Sequence, residues 1–98
     1  MTSEIVIYTT PHCGYCRLAK QLLESRGFDF REVDVASDPT ARDTLVRITG
    51  RKTVPQIFIN HHSIGGFEEL KIMDDSGALV RMVLQTPAPP PDPREYAP

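Results

Sequence analysis

Two cysteines occur in the 98-residue chain, and they stand three apart as Cys13-Gly14-Tyr15-Cys16. That spacing brings the two Cα atoms within roughly 5–6 Å on a helix face, inside the window a disulfide accepts. A structural disulfide across so short a loop would constrain the unfolded chain little, and small secreted proteins are stapled by several longer bridges. The pair therefore reads as thiol–disulfide chemistry. The competing reading is half of a zinc site, but four ligands are needed, there is no second C-x-x-C, and His12, His61 and His62 lack a ligand spacing.

The elements around the motif decide which sulfur does what. Ile5-Val6-Ile7-Tyr8 is a continuous, β-branched apolar run, as expected for a central strand buried on both faces. Thr9-Thr10-Pro11-His12 breaks it. From residue 13 to 26 the pairs Leu18/Leu22 and Ala19/Leu23 recur at i, i+4, and Gly27 follows as a left-handed stop, so the spacing predicts a helix that opens on Cys13. Unpaired backbone N–H groups and the macrodipole at a helix start stabilise a thiolate. The gain in ionised fraction is offset by lower intrinsic nucleophilicity, so the larger benefit is that an anion-stabilised sulfur leaves readily from a mixed disulfide. Cys13 is thus expected as attacker and leaving group, and Cys16 as resolver.

Further along, residues 28–35 read as a second strand. Asp38-Pro39 supplies an N-cap with proline at the first helical position, and Ala41, Leu45 and Ile48 give the apolar face of a helix that Gly50 stops. Residues 56–59, an Asn60-His61 turn and residues 62–64 make a hairpin; a helix bearing Phe67, Leu70 and Met73 follows. Leu79/Val83 and Val80/Leu84 suggest one or two more helical turns. The order βαβαββα implies an α/β fold with a four-stranded mixed sheet and helices on both faces, because crossovers join parallel strands and tight turns join antiparallel ones. One domain is expected over residues 1–85. Residues 86–98 hold six prolines and are expected as an extended or disordered tail, with an adaptor role through Pro89-Pro90-Pro91 as the lesser alternative.

A formal charge of −2 leaves no basic stripe for nucleic acid. No run is long enough for a signal-peptide core or a membrane span, so the expected address is cytoplasmic, with neither nucleic acid nor membrane as partner. Two other segments carry chemistry. Thr53-Val54-Pro55 holds Val54 extended before proline, so its backbone can pair with an extended thiol peptide, unless Pro55 simply begins an edge strand. Gly65-Gly66-Phe67-Glu68-Glu69 opens a helix with free donors and two carboxylates, which suits a zwitterion as well as an ordinary helix start.

C-G-Y-C, T-V-P-Q-I-F-I and G-G-F-E-E at these distances resemble the glutaredoxins over residues 4 to about 84. The resemblance implies a thioredoxin fold and a cis peptide before Pro55. It further implies glutathione as co-substrate, gripped by Tyr15, Val54, Gly66, Phe67 and Glu68, with Thr53 and Pro55 in the same loop. Glutathione mixed disulfides would be reduced by Cys13 alone, and protein disulfides by Cys13 with Cys16. Thioredoxins, similar in W-C-G-P-C, fit less well because this chain has no tryptophan. Three departures stand out. Thr10 replaces a lysine that meets a glutathione carboxylate, leaving Arg51, Lys52 or Gln56 for that contact. Glu68-Glu69 replaces aspartates, so the backbone donors should matter more. Gly14 replaces proline, and some glutaredoxins with C-G-Y-C hold a [2Fe–2S] cluster between two subunits through the first cysteine and two glutathione thiols. That alternative would make Cys13 a metal ligand and the chain a dimer; otherwise a monomer is expected.

Overall fold

The computed structural model of the chain describes residues 4–84; the proline-rich segment 86–98 and the expected boundary at residue 85 lie outside the described residues. Strand β1 (Ile5–Thr9) sends Ile5 and Ile7 to one face and Val6 and Tyr8 to the other, and four of its five residues are buried. It is central, as expected: β2 (Arg31–Asp34) pairs with it in parallel and β3 (Gln56–Ile59) antiparallel. Strand β4 (His62–Gly65) completes the order β2-β1-β3-β4. The β3–β4 turn is made by Asn60 and His61, both at positive φ (50° and 70°), the backbone that a two-residue hairpin demands.

Helices cover both faces. On one, α1 (Gly14–Ser25), α3 (Phe67–Ser76) and α4 (Ala78–Leu84) bury Ala19, Leu23, Leu70 and Leu79 against Ile5, Ile7, Ile57 and Ile59. On the other, α2 (Pro39–Thr49) sets Leu45 against Val35 and Phe58. Each fully buried Leu or Ile contributes about 1.5–3 kcal/mol, so the four buried residues of each central strand outweigh local propensity. Local signals nonetheless set the ends. Asp38 Oδ1 accepts the Ala41 N–H at 3.1 Å, Pro39 takes the first turn, and Gly50 closes α2 at φ 70°.

One expectation needed adjustment. The second strand pairs only over Arg31–Asp34, shorter than residues 28–35, because Phe28 and Phe30 leave the ladder to pack on the α1/α3 core. The expected helical turns after α3 form as α4, with Leu79 and Val83 buried and Val80 and Leu84 on the exposed side.

Helices α1 and α3 are also clamped at one end by charge. Arg26 donates from Nε and Nη2 to the two Asp74 carboxylate oxygens, both at 2.8 Å, and the Asp74 side chain is almost fully covered. The guanidinium holds the Asp74 carboxyl below its usual range. A depressed folded value contributes stability above the unfolded value, near about 3.9, that is lost as pH falls through the folded one. Asp74→Asn should therefore lower the thermal midpoint by a few degrees at pH 7, a modest effect because Arg26 is half open to water. The gap to the wild type should close as pH drops below about 4; a gap independent of pH would rule out the ion pair as its source.

Candidate active site

Cys13 is the N-cap of α1, with extended backbone (φ −103°, ψ 114°). Its carbonyl begins the helix by accepting the Arg17 N–H at 3.2 Å. Its Sγ accepts the Cys16 N–H at 3.2 Å, the place a serine or aspartate oxygen takes in ordinary caps, so one orphan donor of the first turn is satisfied by sulfur. On its other side Cys13 Sγ donates to the Val54 carbonyl at 3.6 Å. The T-V-P loop thus abuts α1, the condition on which β-augmentation beside Cys13 depended.

The second sulfur lives differently. Cys16 is 1% exposed, and both cysteines are free thiols. Burial pushes the Cys16 thiol up to about 12, helped by its hydrogen bond with Cys13; the Thr10 backbone and the Lys20 charge oppose this only in part. One sulfur is partly exposed and caps the helix, the other is buried and held protonated. In a Cys13→Ser variant, Cys16 should resist iodoacetamide at pH 8 and react more than about tenfold faster once the chain is unfolded. Equal rates in native and unfolded protein would contradict this shielding.

Next to Cys13 lies an open cavity of about 360 Å³. Tyr15, Arg51, Thr53, Val54, Pro55, Gln56, Gly66, Phe67 and Glu68 line it, nine residues joined by Glu69. All nine were proposed from sequence as ligand-binding positions, and the fold brings them together from α1, the 51–56 loop and α3. The Val54–Pro55 peptide is cis, as the resemblance implied. Tyr15, 60% exposed, leans over the opening with its ring 6.2 Å from that of Phe67.

The charged rim differs from the simplest expectation. Arg51 donates to Glu69 Oε1 at 3.1 Å, so the cation offered to a ligand carboxylate already has a partner. Glu69, absent from the sequence-derived set, accepts the Gly66 N–H on Oε2 at 3.1 Å. These donors, its own backbone amide foremost, hold its carboxyl below the usual range. The signal was available: a glutamate three residues after the N-cap is one arm of a capping box. With Gly66 spoken for, the Phe67 and Glu68 amides are the ones lacking partners further back in α3. Gln56 turns its amide to Thr53, and Thr10 and Lys52 are not among the lining residues. A second cavity, about 250 Å³, lies between Val6, Tyr8, Ile48 and Phe58 with Glu4, Arg31 and His61.

The glutaredoxin family profile matches residues 5–64. The glutaredoxin of Pseudomonas aeruginosa is 44% identical over 75 residues, covering 76% of this chain and 89% of that one. The chain belongs to the glutaredoxin family. Glutaredoxin 3 of Escherichia coli is 40% identical over 77 residues, 79% of this chain and 93% of the relative. Among solved structures, a buckwheat glutaredoxin–glutathione complex superposes with a TM-score of 0.78 at 27% identity, covering 83% and 76% of the two chains. The solution structure of glutaredoxin from Brucella melitensis gives 0.74 at 39% identity, with 82% and 87% covered. The thioredoxin fold and the family make this glutaredoxin a thiol–disulfide oxidoreductase.

Proposed function

We propose that this glutaredoxin is a glutathione-dependent oxidoreductase of the cytoplasm, acting on glutathionylated and disulfide-bonded proteins, with Cys13 as nucleophile and Cys16 as resolving thiol. The observation that carries this reading is the cavity lined by Val54 and the opening turn of α3, with Cys13 Sγ in contact with the Val54 carbonyl beside it. A γ-glutamyl tripeptide suits those walls. Its cysteine would pair with the Val54 backbone N–H and C=O, and its α-carboxylate would meet the Phe67 and Glu68 amides, with Glu68 beside the ammonium. Tyr15 and Phe67 would cover its stem.

In the first step the Cys13 sulfur attacks the glutathionyl sulfur of a mixed disulfide. A Cys13–glutathione disulfide forms, the old S–S bond breaks, and the protein thiolate leaves to take a proton from water. A second glutathione then attacks the glutathionyl sulfur, releasing Cys13 as the leaving anion and forming oxidised glutathione. For a protein disulfide, Cys16 attacks the Cys13 sulfur of the enzyme–substrate disulfide and gives up its proton as the substrate thiolate departs; Cys13–Cys16 is then reduced by two glutathiones. The complex of the buckwheat glutaredoxin with glutathione supports this assignment of ligand.

The test is turnover of a glutathione mixed disulfide with glutathione, glutathione reductase and NADPH, followed by NADPH loss. Robust turnover is expected; reduction that runs on thioredoxin reductase and ignores glutathione would sink the reading. The [2Fe–2S] alternative would draw Cys13 from each of two copies and two glutathione thiols. Visible absorbance after anaerobic reconstitution with iron, sulfide and glutathione separates the two.

A further inference from the structure

We infer that Gln56 is a positioning residue that fixes the Val54 backbone against Cys13 and so sets the preference for glutathionyl over other disulfides; this rests on the glutathione reading above. Gln56 begins β3, opposite Tyr8 of β1, and is 1% exposed. Its Nε2 reaches back three residues to donate to the Thr53 carbonyl at 3.1 Å and the Thr53 hydroxyl at 3.3 Å. The side chain therefore closes a ring around Val54 and Pro55, the two residues joined by the cis peptide. Between the ring's ends lies the carbonyl that Cys13 Sγ touches at 3.6 Å.

The other half of the amide has no such use. Oε1 is buried and finds no hydrogen-bond partner among the described residues. A buried acceptor left unpaired is costly, and an apolar side chain of the same length would fill the space without that cost. An amide here is therefore explained by its donor half, and the donor half holds Thr53.

The consequence falls on substrates that carry a peptide backbone. Glutathione needs both the Cys13 sulfur and the Val54 N–H and C=O in register, whereas cystamine, a disulfide without peptide groups, needs only the sulfur. The measured quantity is the ratio of second-order rate constants for reduction of a glutathione mixed disulfide and of cystamine in single turnover. Gln56→Met keeps length and apolar bulk but removes both donors, and should lower that ratio about tenfold, chiefly through a smaller rate constant for the glutathione mixed disulfide. Thr53→Val removes one of the two acceptors; it should lower the ratio less, and add nothing in the Gln56→Met background.

An unchanged ratio, including one in which both rates fall together, would overturn the inference, as would full additivity of the two substitutions. A wild-type ratio near one would instead refute the glutathione reading. Should Gln56→Met fail to fold, Thr53→Val alone decides: a lowered ratio supports the clamp and an unaltered ratio rejects it.

Discussion

Cys13→Ser should reduce every thiol–disulfide activity to the uncatalysed background, while Cys16→Ser should keep reduction of glutathione mixed disulfides and lose reduction of protein disulfides. The asymmetry follows from where the two sulfurs sit. Cys13 Sγ receives its N–H from the Cys16 backbone, and a serine at 16 leaves that amide in place. The side chain of Cys16 is buried and protonated, so it contributes nothing until a disulfide on Cys13 brings an electrophilic sulfur within reach. Cys16→Ser turnover of a small glutathione mixed disulfide should stay within about threefold of wild type, less than ~1 kcal/mol in transition-state terms. Steady-state kinetics on that substrate and on a protein disulfide check both halves. Equal loss from the two substitutions would end this division of labour.

Gly65→Ala should impair both stability and substrate binding. Gly65 has φ 110°, a backbone that costs other residues about 1–3 kcal/mol. A Cβ added there would also stand 2.9 Å from Glu69 Cδ and 3.0 Å from Cγ and Oε1. A free glutamate would swing aside, but Glu69 is tied to the Gly66 N–H and to Arg51. Relief of the clash therefore breaks the cap of α3 or the ion pair, and either change reshapes the cavity wall that carries Gly66, Phe67 and Glu68. Denaturant unfolding should show a loss of about 1–3 kcal/mol with an unaltered m-value, and KM for a glutathione mixed disulfide should rise. A variant that unfolds like wild type would show that the loop absorbs the methyl group.

How far the sequence reached is clearest at three places. Both ends of α1 were legible because their determinants are local: a strand-breaking Thr-Thr-Pro before it, an apolar stripe at helical spacing, and Gly27 at φ 73° after it. The end of β2 was not, because whether Phe28 and Phe30 pair in a ladder or drop into the core depends on the apolar surface that α1 and α3 present. Arg51 illustrates the same limit in charge. Its presence near the site was readable, but its pairing with Glu69, eighteen residues away, required the fold to bring the loop before β3 against the start of α3.

The sequence by itself determined the chemistry and the order of elements, since two cysteines at helix spacing, a pre-proline valine and a glycine-led helix are short-range patterns whose meaning travels with them. Only the tertiary structure decided how the two sulfurs differ, which donors remain for a ligand, and what Gln56 holds. The reason is physical: burial, hydrogen-bond satisfaction and ion pairing depend on neighbours contributed by distant segments, and a linear chain does not reveal those neighbours until packing has chosen them.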